Sequence, residues 1–124
     1  MKGRVEVTEH AEQVAVFEWS AYQRKKYPEL DLLIAIPNGG KRHIGTAMKL
    51  KAEGVKPGVP DILLPVSRHG FNALWIELKV GKNKPSPNQL YMMHRLTDEG
   101  AMCQVCWGAE QAILAIKAYI EDRE

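Results

Sequence analysis

Apolar and polar positions along the chain switch between a helical and a strand period, and the switches set out the elements in order. From about Glu9 to Lys26 the residues are good helix formers, Thr8 is placed to cap the first turn, and Pro28 bars continuation. Leu32-Leu33-Ile34-Ala35-Ile36 is wholly apolar and predicts a buried strand ending at Pro37. A turn-rich basic loop follows, Asn38-Gly39-Gly40-Lys41-Arg42-His43, and then a short helix from Thr46 to Glu53 closed by Gly54. A strand opening at Asp61 and another ending at Val80 flank Arg68-His69-Gly70, the pattern of an antiparallel hairpin. Ser86 and Pro87 open a helix that Gly100 ends, and Met102 to Trp107 reads as a fourth strand. Ala112, Ile113, Ile116, Tyr119 and Ile120 recur at helical spacing, so the last helix packs on a sheet. The order predicts an α/β fold, a central mixed sheet of about four strands flanked by helices, in one domain over residues 1–124.

Within Leu74-Trp75-Ile76-Glu77-Leu78-Lys79-Val80 the period of two sorts the side chains. Leu74, Ile76, Leu78 and Val80 point into a core, while Trp75, Glu77 and Lys79 share the other face, the Glu and Lys about 7 Å apart. An isolated Glu-x-Lys is usually a solvated charge pair on a half-buried strand. Here Gly58-Val59-Pro60-Asp61 precedes it, itself leading into the apolar Ile62-Leu63-Leu64. One Asp, one Glu and a Lys at the working ends of two strands form the minimal kit for metal-dependent phosphodiester cleavage. The carboxylates hold Mg²⁺ or Mn²⁺, and the ammonium orients water or neutralises developing charge.

Charge distribution adds to this. The net charge is only +2, but Lys41 to Lys84 carries nine Lys/Arg against three acids, a balance of +6, and the remainder is −4. Two of those three acids are the proposed metal ligands, so a basic surround encloses an acidic pocket, the field expected for phosphate binding. Lys41, Arg42, His43, Lys82 and Lys84 are the candidate DNA contacts, the first three on a loop whose glycines let backbone amides approach a phosphate. The alternative for these is a solvated basic turn. Cys103-x-x-Cys106 lacks the further ligands of a zinc site and is expected to be a pair of reduced, packed residues. His10, His69 and His94 suggest no partners. No apolar run reaches membrane-spanning length and the N-terminus lacks a signal-peptide core, so a cytoplasmic location, in a bacterial or phage-infected cell, is expected.

Together, Glu12 in His10-Ala11-Glu12-Gln13-Val14, Ile36-Pro37-Asn38-Gly39-Gly40-Lys41-Arg42, Gly58-Val59-Pro60-Asp61, and Glu77-Leu78-Lys79 with Gln89 resemble the virus-type replication-repair nuclease (VRR-NUC) family of the PD-(D/E)XK superfamily. The resemblance implies a restriction-endonuclease-like core. It implies that Asp61, Glu77 and the Leu78 carbonyl bind Mg or Mn, and that Lys79 orients the attacking water. It also implies that Glu12 completes the metal site, directly or through water, and that Gln89 lines the pocket. Glu12 has a second reading as a surface helix acid, and Gln89 as half of a capping box with Ser86. The implied activity is that of an endonuclease on branched DNA such as four-way junctions, acting as a homodimer with no small-molecule cofactor. A non-catalytic nucleic-acid-binding module and a nuclease acting on linear or flapped DNA are the alternatives.

Overall fold

The computed structural model describes residues 7–37 and 44–121. Helix α1 spans Glu9–Gln23, with the Thr8 side chain accepting the Ala11 N–H at 3.0 Å as its cap. A 3₁₀ turn, Pro28–Leu32, leads into β1, Ile34–Ala35, and α2 covers Ile44–Ala52. Strands β2 (Ile62–Leu64) and β3 (Leu74–Lys79) follow, then α3 (Pro87–Asp98), β4 (Met102–Trp107) and α4 (Ala109–Glu121). The four strands lie in the order β1-β2-β3-β4; the first two pairings are antiparallel and β3 with β4 is parallel. A parallel neighbour needs a crossover, and α3 supplies it.

Helices α1 and α4 pack on each other and on the face of β3 that carries Leu74, Ile76 and Leu78, while α3 lies against β4. The core joins Val16, Ile62, Leu64, the three β3 side chains, Cys106, Ala112, Ile116 and Ile120, all nearly inaccessible. Removing this apolar surface from water, at about 25 cal/mol per Å², is the main force holding the sheet to its helices. Arg68, in the β2–β3 connection, ties that loop to the far end of the fold: it donates to the Ile120 carbonyl at 3.2 Å and pairs with Glu29 of the 3₁₀ turn. One of the nine cations in the basic segment is therefore structural.

The apolar run Leu32 to Ile36 differs from expectation. Only Ile34 and Ala35 pair with β2, on the sheet edge, and both are exposed. Leu30 and Leu33, three apart on the 3₁₀ turn, are the ones that enter the core, because that turn stacks i and i+3 on one side. The first helix stops at Gln23, short of Lys26. The hairpin, the fourth strand and the last two helices match their expected spans.

Gly58 marks a close approach. Its φ is +86°, and a Cβ there would stand 2.6 Å from the Asn88 backbone oxygen, so the Gly58-Val59-Pro60-Asp61 segment rests directly on the first turn of α3. Gly58→Ala is expected to cost about 2 kcal/mol or more from strain plus the clash. Gly54→Ala, at φ +98° with nothing within 4 Å, isolates the strain alone. Urea denaturation of the two variants checks that Gly58→Ala is the more damaging.

Candidate active site

Asp61 stands one residue before β2, where the ladder with β3 ends. Continuing the register of Ile62 opposite Ile76 sets Asp61 opposite Glu77 and Pro60 opposite Leu78. Pro60 has no N–H to donate to the Leu78 carbonyl. The Leu78 N–H is accepted by Asp61 Oδ2 at 2.7 Å. This bond draws the carboxylate onto the flank of β3, beside Glu77. In a strand the N–H and C=O of one residue point to the same side, so the Leu78 carbonyl also faces the Asp61 side. The Lys79 carbonyl points the other way, to the Gly108 N–H at 2.9 Å.

The alternation along β3 holds, but the face of Glu77 and Lys79 is not open to solvent. Glu77 is 1% exposed, Asp61 7% and Lys79 8%. Lys79 Nζ lies 3.3 Å from Glu77 Oε2. Glu77 Oε1 is buried with no hydrogen-bond donor, its neighbour being the Asp61 carboxylate. Burial first, and the Asp61 charge second, push the Glu77 carboxyl up to about 7, with Lys79 pulling in the opposite direction. Among the described residues Lys79 brings its ammonium to Glu77, and two adjacent buried carboxylates favour a proton or further positive charge beside them. The donors are all oxygen, which suits a hard divalent cation such as Mg²⁺ or Mn²⁺ that keeps part of its water shell. Among the described residues no three His, Cys, Asp or Glu gather as a metal cluster; the groups there that could hold such an ion are the two carboxylates and the Leu78 carbonyl.

A cleft of about 550 Å³ opens on this pair. It is lined by Asp61, Glu77 and Gln89, by Glu9 of α1, and by Leu50 and Lys51 of α2. A smaller groove that shares Asp61 and Glu9 with the cleft is also lined by His10, Gln13 and Phe17. Gln89 reaches the cleft while closing a capping box, its Oε1 accepting the Ser86 N–H at 2.8 Å and its own N–H donating to Ser86 Oγ at 3.2 Å. Both expected roles for it are compatible.

Glu12 is placed differently. Its Oε1 accepts the Ala109 N–H at 2.8 Å, capping the first turn of α4, and it lines neither the cleft nor the groove. Glu12 lies on the side of α1 that packs on α4. Glu9, one turn earlier, is the α1 acid at the cleft, and its partner on that face is Gln13. The four-residue spacing from Glu9 to Gln13 was the available signal. Lys51 is the second residue the sequence did not single out. Lys82 and Lys84 are exposed on the β3–α3 loop, whereas Lys41, Arg42 and His43 lie outside the described residues.

The other candidates stay apart from the site. The cysteines face opposite sides of β4: Cys103 donates to the Met93 carbonyl at 3.5 Å, and Cys106 enters the core, where burial raises its thiol to about 11. Both are free thiols. His69 meets the Tyr119 carbonyl at 3.2 Å, and His94 pairs with Asp98 on the surface of α3.

A sheet of this order with paired carboxylates and a lysine at one strand end defines an α/β, nuclease-like core. Residues 6–110 match the VRR-NUC domain model. A solved structure described as a VRR_NUC domain protein superposes with a TM-score of 0.80 at 30% identity, covering 100% of this chain and 94% of that one. No curated protein matches the chain. The chain belongs to the VRR-NUC family, a nuclease family.

A raised carboxyl pKa has a measurable consequence. Between the ordinary value of 4.5 and about 7 the folded protein holds a proton on Glu77 that the unfolded chain releases, so metal-free stability falls as pH rises through that window. Glu77→Gln is expected to remove this loss and to stabilise the metal-free protein at pH 8 by on the order of 2 kcal/mol. Thermal melts of both proteins in EDTA at pH 5 and pH 8 check it: the wild type should lose several degrees that the variant keeps.

Proposed function

We propose that this chain is a Mg²⁺- or Mn²⁺-dependent DNA endonuclease that acts on branched DNA, with residues 1–124 forming one catalytic domain. The observation that supports it most directly is the buried Asp61–Glu77 pair with Lys79 Nζ 3.3 Å from Glu77, opening on a cleft of about 550 Å³. Asp61, Glu77 and the Leu78 carbonyl would hold the divalent ion, which when bound acidifies a water and shields the phosphate charge. Lys79 then has two tasks. Its ammonium holds Glu77 in place, and it stabilises negative charge that builds on the phosphate oxygens. Gln89 lines the same cleft with its side-chain amide fixed by the Ser86 cap, so it can orient water or phosphate without rearranging. Glu9 faces Asp61 across the mouth and extends the acidic wall; Lys51 offers a cation to the phosphate on the side of α2.

Branched DNA is favoured over linear duplex because an open cleft beside exposed lysines admits a distorted strand, and because the family resemblance implies it. The homodimer belongs to this reading too, two copies offering two sites to the two symmetric strands of a junction. A non-catalytic binding module accounts poorly for the buried acids, which would weaken phosphate binding unless a cation bridged them.

Incubating the protein with Mg²⁺ or Mn²⁺ and a panel of linear, flapped and four-way substrates should give cleavage strongest on the branched forms and none in EDTA. Asp61→Ala and Lys79→Ala should lower the rate by at least about 10³-fold while keeping a folded circular-dichroism spectrum. Full activity in either variant would overturn the site assignment. Equal cutting of every substrate would leave the nuclease and remove the branched-DNA preference.

A further inference from the structure

Trp107 closes β4 as the register neighbour of Lys79, and residues paired across a parallel ladder present their side chains on the same face of the sheet. It is 39% exposed, unlike the half-buried Trp19 and Trp75. Its indole is nevertheless fixed in place. Nε1 donates to the Asn83 carbonyl at 2.8 Å, and the Trp107 N–H donates to Gln111 Oε1 at 2.9 Å. Asn83 lies between Lys82 and Lys84, both exposed. The only polar atom of the ring is thus satisfied, the ring is tethered to a loop carrying two cations, and an apolar surface is left in water one strand away from the catalytic lysine. Leaving that surface uncovered is unfavourable, and the edge tether removes the entropy cost of ordering the ring when something stacks on it.

The geometry points to Trp107 as a stacking platform for an unpaired nucleobase of the DNA strand whose phosphate enters the Asp61–Glu77–Lys79 site, with Lys82 and Lys84 holding the neighbouring phosphates. Every base has a π face, so such a platform is indifferent to sequence. A base within intact duplex is already stacked on both sides and cannot use it. A strand unpaired at a junction or flap can. This rests on the nuclease reading and deepens it, since it names the feature of branched DNA that the site would recognise.

Binding is measured in EDTA, where no cleavage is expected. Tryptophan fluorescence of the wild type should be quenched by a short oligo-dT, and Trp107→Phe should lose most of that quenching. Trp107→Ala should bind oligo-dT about tenfold more weakly, Trp107→Phe within about threefold of the wild type, and duplex affinity should change in neither. Tyr22→Ala, at an aromatic 86% exposed on α1, is the control and should bind normally. Unquenched wild-type fluorescence overturns the platform without needing any variant to fold. So does equal weakening by Phe and Ala, which would assign the effect to the Nε1 tether instead. Cleavage of branched DNA without quenching leaves the nuclease and removes the platform; quenching without cleavage under any divalent ion does the reverse.

Discussion

The hydrogen bond from the Leu78 N–H to Asp61 Oδ2 is the contact on which the site depends. It takes up the Leu78 N–H that the Pro60 carbonyl would accept in a continued ladder, so the end of the β2–β3 hairpin is closed by a carboxylate rather than by backbone. The replacement has two effects at once. It satisfies a buried amide whose loss would be costly, and it fixes an acid beside Glu77. Gly58, pressed on Asn88, seats the same segment against α3 and so against Gln89. Chain geometry, and not loop flexibility, sets the spacing of the acids.

Placing two carboxylates together in a nearly inaccessible position works against the fold, and Lys79 offsets part of that cost. The surrounding apolar core carries the difference. The result is a pocket pre-formed for positive charge, with its polar groups already oriented before any ligand arrives. Such an arrangement costs stability, a compromise common where a fold builds a functional site. Trp107 extends the same logic to the rim, where an ordered apolar ring next to two lysines is poised for a base.

Much of this was legible in the sequence, and the reasons differ by element. Thr8, Ser86-Pro87 and Gly100 are local signals whose chemistry fixes helix ends almost regardless of context, and those ends fall where expected. The alternation in β3 put Glu77 and Lys79 on one face, but the burial of that face comes from packing made at long range. Leu32 to Ile36 misled because an apolar run does not say which of its members a 3₁₀ turn will bury. Glu12 and Glu9 are one turn apart on α1, and only the placement of α4 decides that the first caps a helix and the second faces the cleft. Arg68 counted toward a basic patch until its partners, Glu29 and Ile120, were brought from distant parts of the chain.

Anomalous diffraction from crystals soaked in MnCl₂ locates a bound cation without reference to activity. One principal peak is expected within about 2.5 Å of oxygens from Asp61, Glu77 and the Leu78 carbonyl, absent from Asp61→Ala crystals treated in the same way. Manganese bound elsewhere on the surface with that pocket empty, or a peak that survives loss of Asp61, would contradict it.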